Sequence, residues 1–431
     1  MYLSSLSSWQ TQLLSFLPVF TEPTGRIFLR LVAGWLLCTG RRTVLGLWAF
    51  AEPERLRAHD AYQRFFSGAA WSVGELWRLA AQGLIGNLCP TGEVPVDVDD
   101  TLFHKSGRKV NGAGWWRDAV RSTGKHLVHA WGLNLVVLTL RVTPPWGGEP
   151  LGLPVNMRLH WKHGTDLLTL TEEMLRELAE WLPDRRFALC GDGFYASLAG
   201  RSLPRTTVTS RLRGDAALYA LPPRRRAQRR GRPTQRGRRL AAPRRTAARA
   251  RQWRLVATEE RGRKRKRLVR TAVVLWPHVC GTQPILQVLS RDPKGKEQDD
   301  CFFTTDLALG GPATVGRMAG RWSIEDTNKN VKQLLHGEEP QTWKGPGPER
   351  AAAFSLWLYG QVWGWYVQAG YKPGAVKATP EYAQKARPSF QDALSLLRRQ
   401  LWQERIKGQS GSRTGVGKII NLLLGALVKA A

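Results

Sequence analysis

The chain has 431 residues, with 65 Lys and Arg against 34 Asp and Glu, and a formal net charge of +31 at pH 7. Hydrophobic residues make up 42%, including 19 Trp, enough for a sizeable core, which excludes global disorder. A charge excess of this size calls for a polyanionic partner, nucleic acid first and an anionic membrane second.

Cys38, Cys89, Cys190, Cys280 and Cys301 are scattered, and none forms a Cys-x-x-Cys pair. Neither a disulfide framework nor a zinc ribbon is supported, and the thiols read as reduced and intracellular. The stretch Ile27 to Cys38 is roughly half the length of a membrane span and carries Arg30. The first residues lack the basic start and cleavage site of a signal peptide, so the expected location is the cytoplasm, without membrane contact.

Residues 1–90 read as helical. Apolar residues recur at three-to-four spacing in Leu13, Leu14, Leu17 and again in Ile27, Leu29, Val32, Trp35, Leu36. Short helices around Gly40-Arg41-Arg42-Thr43 suit either a helix-turn-helix-like DNA-binding module or a plain bundle packed on the next domain. After Cys89-Pro90-Thr91-Gly92 the period becomes two: Val94, Val96 and Val98 alternate up to Asp99-Asp100-Thr101, a strand delivering carboxylates at its end. Strands follow at 127–131 and 133–142, the latter a nearly continuous apolar run.

A helix is expected over about 166–182, with Leu167, Leu170, Met174, Leu178 and Trp181 on one face and Thr169-x-x-Glu172 as its capping box. The strand Phe187-Ala188-Leu189-Cys190 then runs into Gly191-Asp192. Four strand-like pieces between 206 and 309 enclose a basic run. Helix resumes near Ala313, and Pro388-Ser389-x-x-Asp392 opens a late amphipathic helix.

The chain thus divides into a helical N-terminal DNA-binding domain (1–90) and an α/β core in two pieces (91–205 and 307–345). A β-rich insertion (206–306) and a C-terminal helical region (346–431) complete it.

The charge is concentrated. Residues 224–267 hold +18 in 44 residues, more than half of the total. Arg224, Arg225, Arg226, Arg229, Arg230, Arg263, Lys264 and Arg265 are candidate phosphate contacts. The alternative is a merely solvated insertion, and either way a mobile arm is expected.

Three acids stand out. Asp100 and Asp192 each end a strand, and Glu325 lies on the helix that follows Ala313. Three hard oxygen ligands suit Mg²⁺ or Mn²⁺. Arg321, Glu325 and Lys332 are offset by 4 and 11 residues, about 40° and 20° around a helix, so they share one stripe. Cations flanking a carboxylate suit phosphate binding, although an ordinary surface ion pair has the same spacing.

The segment 98–107 (VDDTLFHKSG), the strand ending Cys190-Gly191-Asp192, and Arg321-x3-Glu325-x6-Lys332 together resemble the DDE transposases of bacterial insertion sequences. The likeness is to the branch with a Tyr-Arg-Glu-Lys signature, with Met318 at the Tyr position. It covers roughly residues 90–345.

The resemblance implies an RNase H-like mixed sheet with flanking helices, and a β-rich insertion between the second and third acids. It implies that Asp100, Asp192 and Glu325 hold two Mg²⁺ (or Mn²⁺) ions for cleavage at transposon ends and strand transfer into target DNA. Asp99 is the fallback for the first position. Arg321 and Lys332, with Lys105 and Arg108 after the first strand, would bind DNA phosphates. A homodimer working on double-stranded DNA of the nucleoid is implied too.

Trp276, Trp253 and Trp322 are candidates for stacking on an extruded base, with core packing the alternative. His160-x2-His163 lacks a third metal ligand. The rival functions are a non-catalytic nucleic-acid-binding protein (an inactive or domesticated transposase, or an RNA-binding factor) and a hydrolase that cuts without joining.

Overall fold

The computed structural model describes residues 5–223, 234–374 and 383–409. Five helices come first: α1 (Ser5–Leu14), α2 (Glu22–Leu37), α3 (Val44–Ala51), α4 (His59–Ser67) and α5 (Val73–Leu88). Thr43 and Ser72 cap α3 and α5 by accepting from the Gly46 and Glu75 amides. The apolar stripes of these helices do not close on themselves. Phe28, Trp35 and Phe65 pack against Phe354 and Trp357 of α11 (Gly347–Trp365). That helix is apolar on nearly every face, and therefore central. The aromatic cluster Trp357, Tyr359, Trp363, Trp365 and Tyr366 is core, in one cluster with the N-terminal helices and the sheet.

Among the described residues the sheet has ten strands: β1 (Val94–His104), β2 (Gly114–Arg117), β3 (His129–Val142), β4 (Leu151–His160), β5 (Phe187–Cys190), β6 (Thr206–Arg211), β7 (Arg254–Glu260), β8 (Arg263–Leu275), β9 (Pro284–Arg291) and β10 (Asp300–Thr304). Their order is β2-β3-β1-β5-β6-β10-β9-β8-β7, with β4 also on β3. β1, β5 and β6 are parallel and the other neighbours antiparallel. Three antiparallel strands, a crossover helix α6 (Leu167–Trp181) and two parallel strands make a mixed α/β fold of RNase H-like type with flanking helices.

Several expectations are corrected. The two strands placed in 127–142 are one, β3. The strand β4, which contains Gly152 and Pro154, had not been expected. Pro154 is accommodated where the β3–β4 register shifts between Leu138 and Thr139. Asp166, rather than a Thr169–Glu172 box, caps α6 by accepting from the Leu168 and Thr169 amides. Ser389 and Asp392 do cap α12 (Phe390–Gln409), the Ser389 amide donating to Asp392 at 2.6 Å.

The β-rich region extends the core sheet rather than forming a separate one. Part of the basic run is ordered. It contains α7 (Pro243–Arg249) and the hairpin β7–β8, and the short α8 (Pro277–Cys280) follows β8. Arg261 and Gly262 turn that hairpin, both with positive φ, as a two-residue turn between right-twisted strands requires. A Cβ on Gly262 would stand 1.8 Å from the Gly148 carbonyl, so only glycine lets the tip reach the β3–β4 loop. Arg224, Arg225, Arg226, Arg229 and Arg230 lie outside the described residues.

Candidate active site

β1 and β5 bring the first two acids together. Asp97 pairs with Cys190 in parallel register, and Asp99 and Asp192 each follow two residues beyond that pair. A Cβ on Gly191 would press on Tyr195 Cβ at 2.6 Å and Val98 at 3.0 Å; glycine permits this close approach of the two strand ends. Asp192 then accepts the Phe194 amide at 2.9 Å and starts the 3₁₀ turn Tyr195–Gly200, while Ser210 donates to its carbonyl at 2.6 Å.

The helix carrying the third acid is α10 (Ser323–Gln333), reached from α9 (Gly311–Gly320) through Arg321 and Trp322, which keep helical dihedrals. It lies along one face of β1. Ser323 donates to Asp97, Arg321 faces Asp99, and the Lys332 ammonium sits 5.8 Å over the Phe103 ring. Odd-numbered residues of β1 therefore face α10. Arg321 reaches Glu325 Oε1 with Nη2 at 2.7 Å and Asp99 Oδ2 with Nη1 at 3.5 Å, bridging the two acids. The expected Arg321–Glu325–Lys332 stripe exists, with its two ends at different points of β1.

Asp100 points to the opposite face, with Asn134 and Tyr195. The valines it shares a face with are on the side away from α10, so Asp99, the fallback, is the acid beside Arg321 and Glu325. Burial pushes the Asp99 carboxyl up to about 7; Arg321 opposes this, and Asp100 and Asp192 reinforce it. Asp100 is reached by solvent, yet it sits in a crowded concave surface. Burial raises its carboxyl, the Asn134 amide holds it back, and Asp192 adds to the rise. Tyr195 is raised well above the usual phenol range, by burial and then by Asp100, Asp99 and Asp192.

Two residues that sequence reasoning had not picked out, Asp97 and Arg141, hold the frame. Asp97, fully buried, takes a fork from Arg141, with Nε at 2.9 Å. Met318, at the signature's Tyr position, is buried with its sulfur 3.5 Å from Cys190 Sγ. A thioether replaces the phenol without a polar group to satisfy.

The other candidates separate. The Lys105 ammonium is committed to the Glu338 and Pro340 carbonyls at 2.6 and 3.3 Å, and burial lowers it to about 8. Arg108 is exposed in a cleft of about 710 Å³ with Arg41, Lys109 and Trp343. Arg263, Lys264 and Arg265 are exposed on β8, Arg265 meeting Glu297 at 3.2 Å.

Trp276 is buried against Phe303, and Trp253 is half-buried under Arg291. Trp322 is 43% exposed, with Arg261 of the hairpin tip 4.2 Å over its ring. His160 stacks beside Trp116 while His163 is exposed, and the two form no metal pair.

Among the described residues no three His, Cys, Asp or Glu side chains are already grouped around a metal position. The donors near Arg321 are nonetheless carboxylate oxygens, and Asp100 and Asp192 help to raise the Asp99 carboxyl. That chemistry fits a hard divalent cation.

The sequence matches the DDE superfamily endonuclease family over residues 15–273. The chain belongs to that family. The match takes in both strand-end acids and stops short of Glu325, whose place beside them rests on the geometry above. As a DDE endonuclease the protein has nuclease or transposase-type activity with DNA as substrate, in a family that generally uses divalent metals. No match was found among curated proteins. No described helix is long and apolar enough to cross a membrane.

Proposed function

We propose that this DDE endonuclease is the transposase of a bacterial insertion sequence. It would cut at the element's ends and transfer the 3′-OH strands into target DNA on the nucleoid, working as a homodimer. The observation that carries the site is the Arg321 guanidinium held between Asp99 and Glu325 beside Asp192.

Asp99, Asp192 and Glu325 are the proposed holders of two Mg²⁺ or Mn²⁺ ions, and Asp100, assigned first from sequence, borders the same site. Divalent ions held there would supply activation of the attacking water or 3′-OH and charge neutralisation at the leaving oxygen. Arg321 keeps two acids at working positions and presents a guanidinium to a phosphate. Burial and the neighbouring acids keep the Tyr195 phenol protonated beside Asp100. Trp322, clamped by Arg261, offers an open ring face to an unstacked base. Arg108 and the β8 cations Arg263, Lys264 and Arg265 hold the backbone. Lys332 acts through Phe103 and the loop after α10, and Lys105 through carbonyls, so both position rather than bind.

The test is Mg²⁺-dependent cleavage of a DNA fragment carrying the element's ends. Asp99→Asn, Asp192→Asn and Glu325→Gln should each abolish cutting and keep DNA binding. Unchanged cutting in all three overturns the site, and cutting without joined product reduces the proposal to a hydrolase.

A further inference from the structure

Two arginines are buried without an ion pair. Arg42, in the α2–α3 loop, is 2% exposed and Arg398, on α12, 1%. Neither makes a salt bridge among the described residues, whereas the buried Arg141 and Arg267 each have a carboxylate. Arg398 spends only Nε, on the Leu36 carbonyl at 2.7 Å; among the described residues its Nη1 and Nη2 have no acceptor. Arg42 spends Nη1 on the Gly40 carbonyl at 3.2 Å, and its Nε and Nη2 have none among the described residues. The two groups lie within each other's field: burial, then Arg42, brings the Arg398 guanidinium down to about 10.

The neighbours do not balance them. Glu339 faces Arg42, but its oxygens accept from the Arg42 amide at 2.6 Å and meet His336 Nδ1 at 3.1 Å. Burial, with the two arginines, keeps His336 below its ordinary range and neutral near pH 7. Cys38 is a thiol raised by burial. Two guanidiniums and one carboxylate leave a net positive charge inside the protein, with orphaned N–H groups on both cations. Water would satisfy the donors and leave the charge; a monovalent anion answers both.

We propose that Arg42 and Arg398 hold a small monovalent inorganic anion, of halide type, as an internal structural ligand. The enclosed position favours one weakly hydrated charge over a phosphate dianion. The site joins the end of α2, α12 and the loop at 336–339. That loop follows α10, so the ion clamps terminal helices to the helix bearing Glu325.

The experiment compares wild-type Tm in sodium chloride, bromide and gluconate at equal ionic strength, and uses no DNA. Chloride and bromide should raise Tm above gluconate by about 1 to 3 °C, saturating with concentration. Arg398→Gln should remove that difference. Crystals of the unmodified protein grown with bromide should give an anomalous peak between the two guanidiniums, which keeps the proposal testable if the variant fails to fold. Equal Tm in all three salts, or a bromide-free site filled by water, overturns it.

Discussion

At the outer edge of the sheet, Glu260 on β7 is buried and takes a two-pronged fork from Arg267 on β8, both contacts at 2.7 Å. Burial alone would raise its carboxyl, but Arg267 and Thr258 hold it below the ordinary range. In the inner half, Asp99 is also enclosed and has one long contact to a shared arginine, with two more acids in its field, and its carboxyl is pushed up to about 7. Two enclosed acids with opposite shifts distinguish two uses of an acid. The paired one holds a hairpin; the crowded one is an unspent ligand, costly to the fold and useful to a bound cation.

The comparison is broken most directly by neutralising each kind of acid. Asp99→Asn, Asp192→Asn or Glu325→Gln should lower the cleavage rate by about 10³-fold or more. Glu260→Gln should leave the rate of folded enzyme within about twofold, read in single-turnover cleavage of labelled DNA.

Stability should show the reverse. Glu260→Gln strands the Arg267 fork in a buried place, leaving Glu297 as its remaining partner, and should cost about 3 kcal/mol in denaturant midpoint analysis. Asp99→Asn removes a carboxylate disfavoured by burial, and should leave the metal-free protein as stable as wild type or more so. A large loss on Asp99→Asn would place that acid among the structural ones.

The signs differ with pH as well. The folded carboxyl of Asp99 titrates near 7 against about 3.9 when unfolded. Between those values the folded chain holds a proton the unfolded chain has lost, so stability falls as pH rises through that window. Glu260 works oppositely: its contribution is present above the unfolded carboxyl value and is lost as pH falls through its lower folded value. Tm measured against pH without divalent ions should therefore decline from pH 5 to pH 8, less so in Asp99→Asn. Added Mg²⁺ should raise Tm more at pH 8 than at pH 5.5.

Much of this arrangement was legible because it is local. The alternation Val94-Val96-Val98 and the turn at Gly191 located β1 and β5, and the offsets of Arg321, Glu325 and Lys332 gave a true stripe. What failed to read is what the rest of the fold decides. Period two says Asp99 and Asp100 lie on opposite faces, but not which face receives α10; the Asp97–Arg141 pair, 44 residues apart, and Ser323 settle that. The hairpin β7–β8 was hidden by its composition. Arginine and lysine took the outward positions of a strand, and the two acids Glu259 and Glu260, opposite Lys264 and Arg263, were what paired it.

The same hairpin supplies the smallest expected effect. Lys264 is exposed on β8, opposite Glu259, and no residue depends on it for burial. Lys264→Ala should leave Tm within about 1 °C. If the strand touches DNA, the slope of log binding constant against log salt should fall by about one, with a loss of a few-fold in affinity that is the same for end-bearing and unrelated DNA. An unchanged slope would confine phosphate binding to other basic surfaces, and the hairpin would then serve the site only through its tip, where Arg261 covers Trp322.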